Sequence, residues 1–252
     1  MVGIDTSISF ESYLDRANAA QTKEDLFQVY SRTVAQHGLN RVLLCLATDH
    51  QDIGESAGMG FMHNYPGDWM KYYFEKGLEK IDPVMIYSLS QAGSYMWDEI
   101  PRKMKLTKKQ QGCLNMGEEA GLHNGICTPL RGPNHAIAGL SLASSEKTDS
   151  FDGNTDMITA YSNHFYLAYR RLGEKETAGT ITEKVLNYAL TPKETDVLSW
   201  VARGKSYPDV GTILTMSDHT VKFHMKNIFR KLGVRDQTNA VVRALYFGLI
   251  HP

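Results

Sequence analysis

The sequence has no long apolar run. No window in its 252 residues approaches the roughly 18 consecutive apolar residues of a membrane-spanning helix. The start of the chain, MVGIDTSISFESYLDR, contains neither the basic stretch nor the apolar core of a secretory signal. We therefore expect a cytoplasmic protein without a membrane partner.

Cysteine is scarce, and the motifs of common active sites are missing. Cys45, Cys113 and Cys127 form no C-x-x-C pair, and no two of the nine histidines lie four residues apart. This pattern predicts reduced thiols, no disulfide framework and no metal site. The chain also lacks a G-x-S-x-G elbow, a P-loop and any Ser/His or Cys/His arrangement close enough in sequence to suggest a catalytic site. We expect neither an enzyme nor a cofactor.

Charge is balanced over the whole chain but not along it. The formal net charge is −1, yet the part from Tyr188 onward carries nine basic and five acidic residues. The part before it carries 18 basic and 23 acidic residues. A basic tail on an acidic body predicts that only the tail binds a polyanion such as DNA.

Apolar periodicity in the N-terminal part indicates alternating helices and strands. The pattern predicts a first helix ended by Gly38, later helices ended by Gly77 and Gly121, a hairpin around Arg131–His135, and a last helix. In residue numbers these are helices over 10–37, 66–77, 107–120 and 158–172, a strand over 41–48, and hairpin strands over 125–130 and 136–144. The order α-β-β-α-α-β-β-α fits an α+β domain, an antiparallel sheet with helices packed on it as an α-β-α sandwich. We assign residues 1–172 to this domain, 173–190 to a linker and 191–252 to a second domain.

The second domain has the pattern of an all-α four-helix helix-turn-helix module. Thr191-Pro192-Lys193-Glu194 combines an N-cap, a proline at the first helical position and the closing residue of a capping box. In the third helix the apolar residues Val221, Met225, Ile228 and Leu232 face inward at helical spacing, and the outer face is basic. The candidate DNA contacts on that helix are Ser217, Thr220, Lys222, Phe223, Lys226 and Arg230. Spacing alone also fits a plain helical bundle with a solvated basic face.

The stretch LTPKETDVLSWVARGKSYPDVGTILTMSDHTVKFHMKNIFRKLGVRDQTNAVVRALYFGLI resembles the LuxR-type helix-turn-helix domain. The matching residues are Glu194, Leu198, Gly204-Lys205, Thr220-Val221-Lys222, His224, Asn227-Ile228, Lys231-Leu232 and Ala240. The resemblance implies binding to double-stranded DNA. Gly211 departs from the family pattern and should weaken its helix by about 1 kcal/mol relative to alanine. Phe223 is large and apolar on the DNA-facing side, where it either contacts a thymine methyl or folds back on the core.

A set of N-terminal residues resembles the autoinducer-binding domain of the acyl-homoserine-lactone receptors, the quorum-sensing branch of the same family. The set is Asn64-Tyr65-Pro66, Trp69, Tyr73, Asp82-Pro83, Trp97, Ala120-Gly121-Leu122, Gly125 and Gly139-Leu140-Ser141. By this resemblance Trp69 donates to the lactone carbonyl, and Asp82 accepts the ligand amide N–H. Tyr65 and Ser141 donate to the acyl carbonyl, while Tyr73 and Trp97 wall the pocket. A phosphoacceptor receiver is disfavoured, because the acids in RVLLCLATDHQD are isolated.

The chemistry of these residue types suits an N-acyl homoserine lactone, which has one amide donor, carbonyl acceptors and an apolar tail. An ionised aspartate only accepts hydrogen bonds and an indole only donates them, so Asp82 and Trp69 fix one ligand orientation. Without ligand we expect both groups to lack partners; Leu43, Cys45, Ala47 and residues around Val84 are candidates for lining the acyl tube. Singly, each residue has a structural explanation: Asp82 as a helix cap, Trp69 and Trp97 as core aromatics, Ser141 as a surface strand residue.

The resemblance implies a switch in which ligand orders the receptor. The ordered receptor then forms a homodimer and places two recognition helices about one DNA turn apart, on a roughly palindromic operator. Two alternatives stay open. One is a receptor for a different small molecule, or a solo regulator without its own synthase. The other is ligand-independent DNA binding, with an N-terminal domain that only dimerises or contacts another protein.

Overall fold

The computed structural model describes residues 8–133, 135–147, 154–176 and 190–251. The chain divides into two compact units, Met1–Thr177 and Ala178–Pro252. No helix within these described ranges is both long enough and apolar enough to cross a membrane.

The N-terminal unit contains helices and strands in mixed order. Its helices are α1 (Phe10–Ala19), α2 (Lys23–Ala35), α3 (Gly67–Glu75), α4 (Pro83–Ser88), α5 (Ile100–Lys103), α6 (Lys108–Glu119) and α7 (Thr155–Glu176). Its strands are β1 (Arg41–Leu46), β2 (Gly58–His63), β3 (Tyr95–Met96), β4 (His123–Arg131) and β5 (Ile137–Ser144). Short 3₁₀ turns cover Gln51–Ile53, Leu78–Lys80 and Trp97–Glu99.

The five strands form one antiparallel sheet in the order β2-β1-β5-β4-β3. Side chains alternate between its faces, as strand geometry requires. Val42 and Leu44 belong to the large core that also contains buried residues of α1, α2 and α7. Leu43 and Cys45 point the other way and pack with Met70 of α3. Helices therefore cover both faces, which confirms the predicted α-β-α sandwich.

The predicted single helix over residues 10–37 is wrong, because the structure has two helices there. α1 ends at Ala19 and α2 begins at Lys23. Thr22 is the N-cap of α2, and its side chain accepts a hydrogen bond from the Asp25 backbone N–H at 3.0 Å. This cap satisfies a donor that the start of a helix otherwise leaves without a partner. The prediction rested on the apolar stripe of Leu26, Tyr30 and Val34, which lies wholly within α2 and therefore did not locate the break before it.

Gly173 lies inside a helix, although the sequence suggested that it begins the linker. α7 continues to Glu176, and the rest of the predicted linker through residue 189 lies outside the described residues. A Cβ at Gly173 would lie 2.7 Å from the Cβ of Ile53, which is closer than packed side chains approach. The glycine therefore permits close packing of α7 on the 3₁₀ turn at Gln51–Ile53 and does not end the helix.

Four helices make up the described part of the C-terminal unit: α8 (Pro192–Ala202), α9 (Tyr207–Ile213), α10 (Asp218–Leu232) and α11 (Gln237–Tyr246). The predicted capping box is present at the start of α8, with reciprocal bonds between Thr191 and Glu194. α10 begins after its N-cap Ser217 and ends at Gly233, which is left-handed with φ of 62°. Its inward residues are those that the sequence predicted: Val221, Met225, Ile228 and Leu232.

Candidate ligand cavity and DNA-facing helix

A cavity lies between the sheet and helices α3, α4 and α6 of the N-terminal unit. The cavity is open on one side, and all the empty space between its walls, with the solvent at its mouth, is about 540 Å³. It brings together all six residues that the sequence assigned to a ligand: Tyr65, Trp69, Tyr73, Asp82, Trp97 and Ser141. The other lining residues are apolar or nearly so: Leu43, Met70, Val84, Met85, Cys113, Leu114, Gly117 and Leu122.

Asp82 has two structural roles at once. It is the N-cap of α4, and its Oδ1 accepts a hydrogen bond from the Val84 backbone N–H at 2.8 Å. Its Oδ2 accepts a hydrogen bond from the Tyr73 hydroxyl at 2.8 Å. Burial raises the pKa of Asp82, and the hydrogen bonds from Tyr73, Val84 and Met85 oppose that shift. Asp82 therefore caps α4 and lines the cavity at the same time.

The buried polar groups without partners differ from those expected. The expectation of an Asp82 carboxylate without a partner is wrong, because Tyr73 and Val84 both donate to it. Among the described residues, the Tyr65 hydroxyl and the Trp97 indole N–H are the lining groups that are buried and have no hydrogen-bond partner. Burial raises the pKa of Tyr65, and the neighbouring Ser141 side chain lowers it in part. The cavity thus presents two buried donors beside one fixed carboxylate.

A glycine lies next to each of the two indole rings, but only the one at Trp97 is required by its position. A Cβ at Gly125 on β4 would overlap the ring of Trp97, so only glycine allows Trp97 to occupy this position. Gly117 on α6 lies behind Trp69, and a Cβ there would approach the Trp69 ring to 3.8 Å, an ordinary contact. The Trp69 ring packs against Tyr73, with centroids 5.7 Å apart. The sheet and α6 therefore hold the two tryptophans from different sides.

Several lining residues were missed by sequence reasoning, and two candidates, Cys45 and Ala47, do not line the cavity. Met70 follows Trp69 on α3, and Cys113 and Gly117 are spaced i, i+4 on α6; helical spacing alone contained that signal. Leu43 and Val84 line the cavity as expected. Cys45 packs behind the lining in the same apolar cluster. Ala47 is exposed beyond the end of β1 because the strand stops at Leu46, two residues earlier than predicted.

The outer face of α10 presents the residues that the sequence assigned to DNA. Phe223 is 58% exposed and contacts the ring of its neighbour His224 at a centroid distance of 5.9 Å, so it does not fold back on the core. Lys222, Lys226 and Arg230 are exposed along the same face. The Ser217 hydroxyl caps α10 by accepting from the Thr220 N–H at 3.1 Å.

Lys222 is paired within its own helix. Its Nζ lies 2.6 Å from Oδ2 of Asp218, one turn earlier on an exposed part of α10. Such exposed pairs contribute little to stability, typically about 0.3–0.5 kcal/mol for this spacing. Because the pair is weak, Lys222 loses little stabilisation when it exchanges Asp218 for a phosphate or a base edge.

Gly211 has a packing role that helix propensity does not reveal. A Cβ there would lie 2.7 Å from the backbone oxygen of Met216, which immediately precedes Ser217 and α10. The Met216 N–H in turn donates to the Gly211 carbonyl at 2.8 Å. Glycine at this position therefore allows the turn before α10 to approach α9 closely. This close contact is the structural reason for a residue that lowers the helix propensity of α9.

Comparison with known families matches both units. Residues 22–169 match the autoinducer binding domain, and residues 188–244 match the bacterial regulatory proteins of the luxR family. The putative HTH-type transcriptional regulator y4qH of Sinorhizobium fredii is 33% identical over 187 residues, which cover 74% of this chain and 56% of that protein. The transcriptional activator LuxR of Aliivibrio fischeri is 27% identical, over 96% of this chain and 94% of its own length.

Solved structures support the fold assignment. Escherichia coli SdiA superposes with a TM-score of 0.59 at 24% identity, covering 96% of this chain and 98% of that one. A second structure, SdiA in complex with octanoyl-rac-glycerol, gives a TM-score of 0.57 at 22% identity and covers 96% of each chain. At these identities the likeness concerns the fold.

Proposed function

Because this chain belongs to the LuxR family of quorum-sensing transcription regulators, a family of regulators and not of enzymes, we propose that its ligand is an N-acyl homoserine lactone bound in the cavity. We further propose that the ligand-bound protein binds a roughly palindromic operator as a homodimer, in the cytoplasm where the DNA lies. One observation carries the ligand assignment: a single carboxylate and several donors line an otherwise apolar cavity.

The lining residues match the polarity of such a lactone. Asp82 is the acceptor for the amide N–H, since an ionised carboxylate only accepts. Trp69 donates to the lactone carbonyl, and Tyr65 and Ser141 donate to the acyl carbonyl. Trp97 closes one wall, and the acyl chain runs along the apolar residues of the lining. This assignment gives the buried Tyr65 hydroxyl, which has no partner in the described structure, an acceptor.

Ligand binding should stabilise the N-terminal unit. A buried donor without a partner costs about 1–3 kcal/mol, and an acyl carbonyl that removes this cost at Tyr65 lowers the dissociation constant of the ligand. When free ligand is a hundredfold above that constant, mass action stabilises the folded unit by about 2.7 kcal/mol in total. Ligand is thus expected to order the receptor before it engages DNA.

The outer face of α10 is proposed to enter the major groove. Lys222, Lys226 and Arg230 follow the phosphates or base edges, and Ser217 and Thr220 contact a phosphate at the helix N-terminus. The exposed Phe223 ring contacts a thymine methyl. Two such helices in a homodimer require half-sites about one DNA turn apart.

A receptor for a different acyl compound is the second candidate. SdiA, which shares this fold, has been solved in complex with octanoyl-rac-glycerol. A monoacylglycerol also has an ester carbonyl, an apolar chain and hydroxyl donors, one of which suits Asp82. The lining thus suits an acyl chain that lies next to a hydrogen-bond donor and an acceptor. We favour the lactone because each of its polar groups then has a partner in the lining.

The test is to identify the molecule that the protein retains. Cells expressing the full chain are supplied with a panel of N-acyl homoserine lactones and 1-octanoyl glycerol, and the purified protein is analysed by native mass spectrometry. Retention of one lactone, and a gel shift that depends on it, is expected. Retention of the glycerol ester alone supports the second candidate. A gel shift that needs no added compound overturns the ligand switch.

A further inference from the structure

The hydroxyl of Tyr73 is directed to Asp82. It donates to Asp82 Oδ2 at 2.8 Å, although the family resemblance suggested that Tyr73 is only a wall. The Tyr73 side chain is buried, with 4% exposure; its ring packs against Trp69 and shares an apolar cluster with Leu78 and Cys113. A buried phenol packed in this way has little freedom to turn its hydroxyl elsewhere.

Two elements therefore fix the Asp82 carboxylate. Oδ1 accepts the Val84 N–H from the first turn of α4, and Oδ2 accepts the hydroxyl from α3. A carboxylate has about four lone-pair sites, so these two bonds leave capacity for a further donor from a ligand. Because the bonds come from different helices, they set the rotation of the carboxylate and the direction in which its remaining lone pairs point.

In the part of the chain that the structure describes, no lysine or arginine contributes to the pKa shift of Asp82. The titratable groups that face it are Tyr73 from α3, Cys113 from α6, Cys45 from β1, Tyr65, and Tyr95 with Cys127 at the β3–β4 pair. Burial raises the pKa of Asp82, and the Tyr73 hydrogen bond lowers it. Tyr73 is thus the side chain that favours the ionised, purely accepting form.

We propose that Tyr73 is a positioning residue that acts through Asp82 and sets the preference of the cavity for ligands with an N–H donor. This inference rests on the proposed function, since it requires an acyl ligand in the cavity. A ligand with an amide N–H gains a bond to the oriented carboxylate. A ligand with an ester oxygen at the same place places two acceptors against each other.

The test compares two ligands that differ only at that atom, N-octanoyl homoserine lactone and 2-octanoyloxy-γ-butyrolactone. The full chain is expressed with an equimolar mixture of both, and the retained ratio of amide to ester is measured by mass spectrometry. Because both ligands are present during expression, this ratio can also be measured for a variant that folds only when ligand is bound. The variants are Tyr73→Phe, which keeps the ring, and Tyr72→Phe, the matched control on the same helix. The Tyr72 hydroxyl donates to Met116 Sδ, outside the cavity lining.

The wild type and Tyr72→Phe are expected to retain the amide over the ester by about tenfold or more, the ratio typical of a hydrogen bond to a charged group. In Tyr73→Phe this preference is expected to fall several-fold. The loss of amide binding on acidification is expected to begin at a higher pH, because Asp82 loses a bond that favours its ionised form.

The outcomes separate the two hypotheses. If Tyr73→Phe weakens both ligands equally and keeps the wild-type ratio, Tyr73 is only a wall and the positioning role is overturned while the proposed function stands. If the wild type retains neither compound, the proposed function fails and the positioning role fails with it.

Discussion

Trp97 occupies space that a side chain at Gly125 would need. A Cβ on Gly125 would overlap the indole ring, and Trp97 lines the cavity with its N–H buried. One strand position therefore determines where a wall of the cavity lies.

The first prediction concerns this pair. Gly125→Ala is expected to displace Trp97, to lower the free energy of unfolding by about 1–3 kcal/mol as overpacking does, and to weaken ligand binding. Denaturant unfolding and ligand titration measure the two effects. Gly139→Ala on β5 is the matched control, since its Cβ would meet only ordinary contacts at 3.8 and 3.9 Å. Equal behaviour of the two variants would show that Gly125 does not position Trp97.

The second prediction sets packing against helix propensity. Alanine is favoured over glycine in a helix by about 1 kcal/mol, so propensity predicts that Gly211→Ala stabilises α9. The structure predicts the opposite, because the new Cβ would lie 2.7 Å from the Met216 oxygen. Gly112→Ala on α6 is the control, since no atom lies within 4 Å of its Cβ position and it should stabilise. Hydrogen exchange of each helix reports the sign.

The third prediction is a pH dependence in the C-terminal unit. Burial raises the pKa of Glu194, but hydrogen bonds from Lys231 at 2.6 Å and from Thr191 outweigh it, so the net pKa is lowered. A lowered carboxyl pKa contributes stability that is present above the unfolded value of about 4.3 and is lost as the pH falls through the folded value. The hydrogen-exchange protection factors in α8 and α10, which are corrected for the pH dependence of the intrinsic exchange rate, should therefore fall on acidification below about pH 4.3.

Glu194→Gln separates charge from capping in that experiment. Glutamine also closes a capping box, so the variant keeps the bond to Thr191 and loses the charge that pairs with Lys231. It should be less stable at neutral pH by about 1–3 kcal/mol, the range for a hydrogen bond to a charged group, and its acid dependence should be weaker. An unchanged acid profile would assign the effect to another carboxylate.

The fourth prediction concerns base recognition. Phe223→Ala should relax the preference for thymine at one operator position by about 1–3 kcal/mol, with little change in salt dependence. Lys226→Ala should instead weaken binding to all sequences and reduce the salt slope by about one. Binding to a randomised operator library at several salt concentrations measures both. If Phe223→Ala weakens all sequences equally, the thymine contact is wrong.

The sequence predicted the parts of the fold that depend on local rules. The capping box of Thr191 and Glu194, the inward stripe of α10 and the β4–β5 hairpin all rest on short-range chemistry, and they were found where expected. The break at Thr22 was missed because the apolar stripe behind the prediction lies wholly within α2 and gives no information on the residues before it. The two-residue strand β3 is too short to give a pattern of its own.

The six cavity residues were found because their types and order resemble a known ligand-binding domain, but their bonds were not. Which buried groups have partners depends on contacts between distant elements, such as Tyr73 with Asp82. No spacing rule indicates that Tyr65 and Trp97, and not Asp82, lack a partner. The roles of Gly125, Gly173 and Gly211 likewise depend on neighbours that are remote in sequence or lie beyond a turn.

The most direct measurement is the melting temperature of the wild type and of Asp82→Asn, each with and without N-octanoyl homoserine lactone. Asparagine caps a helix as well as aspartate does, so the variant keeps the start of α4 and loses only the purely accepting, charged group. At a hundredfold excess over the dissociation constant, stabilisation of about 2.7 kcal/mol should raise the wild-type melting temperature by about 5–10 °C. The account predicts a much smaller rise for Asp82→Asn at the same concentration. An equal rise in the two proteins would contradict the role of Asp82 as the anchor of the ligand amide.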